Sequence, residues 1–184
     1  MALRGRNNLT DERFFFVTTT IKNFSEVFVN DGYCEILIHN IKHYQKKYGF
    51  EILAYVIMPT HFHWIIKMEQ SKGTIPDIMR DIKKYSAWDI LEKLRNDKRD
   101  LSLFKSNVLG QKMQLWMHRF DDKVIRDQSM LCNTVRYIHN NPVEKGLVEK
   151  PEDYKYSSAM NYFNGDHSVI YVDTGWAPIE MLSS

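Results

Sequence analysis

Two histidines separated by one residue are the side chains in this sequence most able to do chemistry. They are His61 and His63, on either side of Phe62. Alternate side chains of a β-strand point to the same face, so both imidazoles would face one way, roughly 7 Å apart along the strand. Imidazole suits divalent transition metals such as zinc and manganese, so the pair predicts a metal site. The alternative is that hydrogen bonds hold both histidines, or that they lie exposed at a sheet edge.

A second candidate is a tyrosine on a predicted helix over residues 127–141. The helix has an apolar stripe at spacings of four and three residues, formed by Leu131, Val135 and Ile138. Tyr137 lies off this stripe, and Asn141 shares its face one turn later. A phenol is a poor nucleophile at neutral pH, but a divalent ion could polarise and orient a phosphodiester for its attack. The alternative is a boundary aromatic followed by a helix-ending asparagine.

The elements that must position these side chains form an alternating series. The sequence predicts strands at residues 13–20, 51–58, 61–68 and 115–120, and helices at 31–48, 74–94 and 127–141. Gly49 is expected to stop the first helix and Pro142 the last one. This order is the split βαβ pattern of a ferredoxin-like α/β sandwich with an antiparallel sheet and an extra C-terminal helix that carries the tyrosine.

The composition limits the class of protein. The 184 residues, 43% of them apolar and 26% charged, fit one catalytic domain over residues 1–150 and a packed C-terminal tail over 151–184. No apolar run is long enough to span a membrane, and residues 1–13 lack the apolar core of a signal peptide. Two cysteines in no paired motif suit the cytoplasm. The net charge of +2 does not by itself indicate nucleic-acid binding.

Two blocks of sequence resemble a known family. Residues 54–66, AYVIMPTHFHWII, resemble the His-hydrophobe-His (HUH) segment of single-strand DNA transposases that use one catalytic tyrosine. Residues 135–148, VRYIHNNPVEKGLV, followed by PEDYKYSS at 151–158, resemble the second hallmark block. The best match is to the REP-associated tyrosine transposases, and the resemblance spans about residues 13–160.

This resemblance implies a divalent metal, Mg or Mn, held by His61 and His63, and attack by Tyr137 on a phosphodiester of single-stranded DNA. Relatives stay joined to the 5′ phosphate, leave a free 3′ hydroxyl, recognise hairpins and act as monomers or homodimers. Asn141 replaces the glutamine often found in related transposases, so the third metal ligand is open, with His139 and Asn140 as further candidates.

The resemblance also gives the basic residues a possible function as contacts to hairpin phosphates. These residues are Lys83, Lys84, Arg119, Lys123, Arg126 and Arg136. Trp88, Trp116 and Tyr154 are candidates for stacking on unpaired bases. Solvated helix faces are the alternative for each basic cluster. Two other functions stay open: a DNA-binding regulator with a degenerate site, and a metal hydrolase acting on a small molecule.

Overall fold

The computed structural model describes residues 13–177 and Leu182. The polar segment at residues 1–12 and most of the last seven residues lie outside this part of the chain. The elements are β1 (Phe14–Thr20), α1 (Asp31–Tyr48), β2 (Glu51–Met58), β3 (His61–Lys67), α2 (Ile75–Asn96), β4 (Asp121–Val124), α3 (Gln128–Glu144) and α4 (Ala159–Phe163). Within the described residues, no helix combines the length and apolar character that crossing a membrane requires.

The four strands pair in the order β2-β3-β1-β4, and every neighbouring pair is antiparallel. This is the ferredoxin-like arrangement that the sequence predicts. Strand β3 lies between β2 and β1, and its side chains point alternately to the two faces of the sheet. Phe62 and Trp64 are fully buried on the face covered by α1 and α2, and His61 and His63 point to the face covered by α3. The predicted hairpin between β2 and β3 is confirmed.

The helix ends follow local capping chemistry. Asn30 accepts a hydrogen bond from Gly32 N at the start of α1, and Gly49 ends that helix in the left-handed region with a φ of 66°. Thr74 and Asp77 form a capping box at the start of α2. The predicted stop at Gly49 is therefore confirmed.

The predicted strand at residues 115–120 is wrong. Within that segment Trp116 makes only an isolated bridge to Ile21, and the paired strand follows at Asp121–Val124. Leu115 and Trp116 are buried beside the end of β1, where Lys22 N donates to the carbonyl of Leu115, so this segment is apolar without being a strand. The true strand is a short, charged sheet edge, a design that discourages pairing with other chains and carries no hydrophobic signal.

The predicted helix end at Pro142 is also wrong, because α3 continues to Glu144 with the proline inside its last turn. Proline removes one backbone donor, but Lys145 N still bonds the carbonyl of Asn141 at 3.1 Å. Gly146, with a φ of 67°, then ends the helix. Asn141 therefore lies within the last turn of α3 rather than at its final residue.

The segment after residue 150 packs along the outer edge of β2. Ile57 N donates to the carbonyl of Tyr156 at 2.9 Å, and Ser158 N donates to the carbonyl of Tyr55 at 2.9 Å. The hydroxyl of Tyr162 reaches the carbonyl of Leu53 at 2.8 Å. These bonds satisfy backbone groups that an edge strand would otherwise expose.

Candidate active site

The two histidines form a close pair at the start of β3, directly after the turn that connects it to β2. Their ring centroids are 4.6 Å apart, and His63 is buried. Each Nδ1 has a threonine partner: Thr60 Oγ1 lies 2.9 Å from His61, and Thr18 Oγ1 lies 2.7 Å from His63. When Nδ1–H donates to its threonine oxygen, the Nε2 lone pair is available to a metal, the usual arrangement of metal-binding histidines. Hydrogen bonds thus hold both rings without occupying both nitrogens.

Burial favours the neutral form of both imidazoles. Burial, followed by the charge of His61, lowers the pKa of His63 to about 3. Burial also lowers the pKa of His61, with a smaller contribution from the charge of Lys145. Neutral imidazole is the form that binds metals. Lys145, which the sequence does not single out, is the charged residue that contributes to the lowered pKa of His61.

Tyr137 meets this pair within one chain. Its ring centroid lies 5.5 Å from that of His63, at an interplanar angle of 65°. Tyr137 is 45% exposed, so the side chain is open to solvent. No second copy of the chain is needed to bring the tyrosine to the histidines.

Phe16 packs against the rings of both His63 and Tyr137. It stacks on His63 with centroids 5.6 Å apart, and it meets Tyr137 edge-on at 6.0 Å. Phe16 and Thr18 lie on β1, in the antiparallel register that pairs Thr18 with His63. Sequence reasoning did not find either residue, because the strand register that aligns them is not a local signal. Alternation along β1 predicts only that the two share a face.

The third ligand predicted at Asn141 lies on the Tyr137 side of α3. Asn141 is buried, and its Nδ2 donates to the carbonyl of Tyr137 at 3.0 Å. This bond leaves its Oδ1 as the atom suited to a metal. His139 instead faces the C-terminal segment, with Nε2 2.8 Å from Ser158 Oγ and its ring against Tyr162. Asn140 is exposed.

Within residues 13–177, no three His, Cys, Asp or Glu side chains converge to hold a metal. A metal at the histidine pair would therefore need oxygen ligands of another kind, such as the Asn141 amide or water. Two neutral imidazoles, each with a partner at Nδ1, are chemically suited to such an ion. The residues present fit a divalent metal.

Two of the predicted phosphate contacts lie on α2, and their side chains have other partners. Lys83 Nζ donates to the carbonyls of Met117 and His118 at 2.8 and 3.1 Å, and burial lowers its pKa to about 8. Lys83 therefore holds the segment before β4. Lys84 is exposed and lies over the rings of Tyr85 and Trp88.

The other four lie along the chain from the segment before β4 to α3, and Lys123 lines a groove together with Tyr137. Arg119, Lys123 and Arg126 are exposed. Arg136 is partly buried and donates to Asn133 Oδ1.

Among the three predicted stacking aromatics, Trp88 is exposed. Trp116 is buried, with its Nε1 donating to Ser86 at 3.1 Å, and the hydroxyl of Tyr154 donates to the carbonyl of Ile57 at 2.9 Å. Trp116 and Tyr154 therefore act in packing, and Trp88 is the one of the three that stays exposed, with Lys84 over its ring.

Comparison with known proteins agrees with the resemblance seen in the sequence. A Haemophilus influenzae protein, provisionally named a REP-associated tyrosine transposase, is 24% identical over 153 residues, which is 83% of each chain. The REP-associated tyrosine transposase of Escherichia coli K12 is 26% identical over 144 residues, covering 78% of this chain and 74% of its own. A solved REP-associated tyrosine transposase bound to a REP hairpin has a TM-score of 0.64 at 22% identity, covers 95% of this chain and 93% of its own, and shares the fold.

The sequence model of one family, described as IS200-like transposases, matches residues 14–141. The matched region contains His61, His63, Tyr137 and Asn141, and so includes every residue of the candidate site. It also covers all four strands of the sheet. The chain therefore belongs to the family of IS200-like transposases.

Proposed function

We propose that this transposase cuts and rejoins structured single-stranded DNA through a covalent link to Tyr137. The observation that supports this most is the contact between the exposed Tyr137 ring and buried His63 in one chain, with centroids 5.5 Å apart. An accessible phenol beside neutral imidazoles is a suitable arrangement for phosphoryl transfer. The proposed site is complete in a monomer and compatible with a homodimer.

The proposed reaction exchanges one phosphodiester for another. The Tyr137 hydroxyl gives its proton to water, and its oxygen forms a bond to phosphorus. The bond from phosphorus to the 3′ oxygen breaks, and that oxygen takes a proton from water. The 5′ phosphate stays on Tyr137, and a 3′ hydroxyl is released. Attack by another 3′ hydroxyl reverses the step and joins the strands, so no ATP is consumed.

The proposed metal ligands are His61, His63 and the Oδ1 of Asn141. A bound divalent ion, Mg or Mn, would polarise a phosphoryl oxygen and help to orient the phosphodiester. The protein's own contribution is positional. Thr18 holds the His63 ring, and Phe16 packs against both His63 and Tyr137, so the phenol is oriented before DNA arrives.

The proposed substrate is a DNA hairpin with single-stranded flanks. The structural relative was solved with a REP hairpin, which supports a substrate of this class. Exposed Arg119, Lys123 and Arg126 would contact phosphates, and Lys123 lines a groove together with Tyr137. We place the activity in the cytoplasm, where the buried thiols of Cys34 and Cys132 would stay reduced.

The test is metal-dependent formation of a covalent adduct. Hairpin oligonucleotides from the flanks of the gene, labelled at the 3′ or the 5′ end, are incubated with the protein and Mg or Mn, then separated under denaturing conditions. Because the 5′ phosphate stays on the tyrosine, only 3′-labelled DNA should remain on the protein. The Tyr137→Phe variant should form no adduct, and Tyr171→Phe, at a tyrosine that is 68% exposed in the C-terminal segment, should match the wild type.

The same assay separates the alternative function. A DNA-binding regulator with a degenerate site would bind the hairpin without an adduct under either metal or after prolonged incubation. An adduct that persists in Tyr137→Phe would contradict the nucleophile assignment.

A further inference from the structure

A groove beside Tyr137 has no function in the reaction described above. It has a volume of about 520 Å³ and lies between the first turns of α3 and the edge formed by β1 and β4. Its floor includes Phe16 and Lys123, which are direct partners in the register between β1 and β4. Tyr137 also lines the groove, so a ligand bound there would lie beside the proposed nucleophile's side chain. Its volume is within the usual range for small-ligand sites.

Hydrogen bonds within α3 decide which polar atoms of this groove can donate to a ligand and which can accept from it. Arg136 donates to the Oδ1 of Asn133, so the Asn133 amide N–H groups are left to donate to a ligand. The hydroxyl of Thr134 donates to the carbonyl of Met130 at 2.7 Å, so its oxygen presents only an acceptor to the groove. A half-buried aromatic ring, a fixed amide donor, a fixed acceptor and an exposed lysine thus share one groove.

These features match one unpaired nucleotide. A base offers an aromatic face for Phe16, and base–aromatic stacking contributes about 1–3 kcal/mol. Base edges carry both acceptors and donors, which suits a groove with a directed amide and a directed hydroxyl oxygen. Lys123 supplies a charge for a neighbouring phosphate. A strand whose phosphodiester lies at the Tyr137 hydroxyl would bring an adjoining nucleotide to this groove without a separate binding event.

We infer that the groove lined by Phe16, Lys123, Asn133 and Thr134 is a subsite for the unpaired nucleotide next to the scissile phosphodiester, and that Asn133 contributes to base preference there. This inference rests on the proposed function, since it takes the strand cut by Tyr137 as its ligand. It adds a protein contact that selects the cleavage position, distinct from the hairpin itself.

The first test locates the nucleotide without requiring cleavage. Tyr137→Phe protein is mixed with a flank-derived hairpin that carries 5-iododeoxyuridine on either side of the cleavage position, irradiated, digested and analysed by mass spectrometry. We expect crosslinks in the peptides that contain Phe16 or Met130. Crosslinks at Trp88, in the basic groove between α2 and residues 110–118, or no crosslink at saturating DNA, would overturn the subsite.

The second test changes the directed donor into an acceptor. All four bases are placed in turn at the two positions that flank the cut, and adduct yields are compared for wild type, Asn133→Asp and the exposed control Asn164→Asp. The wild type should prefer certain bases at one flanking position, and Asn133→Asp should change that preference by about tenfold, the size of one lost hydrogen bond. The control should keep the wild-type preference.

The two tests fail separately from the proposed function. Adducts with the same base preference in wild type and Asn133→Asp would contradict the subsite and leave the nucleophile assignment intact. Crosslinks in the groove without any wild-type adduct would support the subsite and contradict the proposed chemistry.

Discussion

The two faces of the sheet differ in what they require of the same strand. Strand β3 directs Phe62 and Trp64 into the layer beneath α1 and α2, where both are fully buried. Its alternate residues, His61 and His63, point towards α3, where each ring has a threonine hydroxyl partner. The first face is stabilised by removing apolar area from water, and the second needs a hydrogen bond for each polar ring. Stability and chemistry are therefore placed on separate faces and should respond to separate mutations.

The largest expected effect is on the histidine face. Replacement of His61 or His63 by Ala should reduce adduct formation on the order of 10³-fold, because metal stabilisation of the transition state is worth several kcal/mol. Unfolding should stay cooperative, with a melting temperature within a few degrees of the wild type. Quantitative adduct yields and thermal unfolding by circular dichroism measure the two effects. Cleavage that survives both substitutions would show that the histidines hold no catalytic metal.

The matched change on the opposite face should act on stability alone. Trp64→Phe removes part of a fully buried side chain and should lower the free energy of unfolding by about 2 kcal/mol. Adduct yield per folded molecule should stay within about twofold of the wild type, because the indole points away from Tyr137. Urea denaturation gives the stability, and adduct yield at a temperature where the variant is folded gives the activity. A selective loss of activity would mean that the two faces are coupled.

Two neighbouring threonines, Thr18 and Thr19, allow the two faces of the sheet to be compared at adjacent positions of one strand. Thr18→Val removes the hydroxyl at His63 Nδ1, and loss of such a partner should weaken metal affinity by about tenfold. Thr19 lies on the other face, and its buried Oγ1 has no hydrogen-bond partner among residues 13–177, so Thr19→Val should leave metal dependence unchanged. Titration of adduct yield against Mn concentration measures both. Excess metal should restore Thr18→Val, and equal effects of the two variants would refute a positional role for Thr18.

The smallest expected effect concerns Lys83. Burial lowers its pKa to about 8, below the value of about 10.4 in an unfolded chain. Between these values the unfolded chain binds more protons than the folded one, so Lys83 makes the free energy of unfolding rise with pH. Between pH 7 and pH 9.5, the free energy of unfolding of the wild type should therefore rise relative to that of Lys83→Met by on the order of 1 kcal/mol. Parallel pH profiles of urea denaturation would contradict this.

The sequence predicts the fold well where elements are long and periodic. Strands β2 and β3 and helices α1 and α2 have clear apolar patterns, and their order is enough to indicate the ferredoxin-like topology. Strand β4 escapes prediction because its residues, DDKV, are charged and lie at a sheet edge, whereas the apolar segment before it is buried without forming a strand. Pro142 is a misleading stop signal, because α3 continues past it to Glu144 and Lys145 N still bonds the carbonyl of Asn141.

The candidate site also contains residues that the sequence predicts and residues that it does not. His61, His63 and Tyr137 can be found from their residue types and spacing, and the structure brings His63 and Tyr137 into contact. Phe16 and Thr18 cannot be found in this way, because cross-strand register places them beside His63. For the basic residues, the sequence predicts too many candidates rather than too few. Charge alone does not distinguish Lys83, which holds backbone carbonyls, from Lys123, which is exposed near Tyr137.

The most direct measurement is the identity of the residue joined to DNA. The wild-type protein is incubated with a flank-derived hairpin and Mn, digested with nuclease and protease, and analysed by tandem mass spectrometry. The account predicts a peptide from α3 that carries a nucleotide 5′ phosphate on the Tyr137 oxygen and is absent when EDTA replaces Mn. A nucleotide on any other residue, or hydrolysed DNA with no protein-linked product, would contradict it.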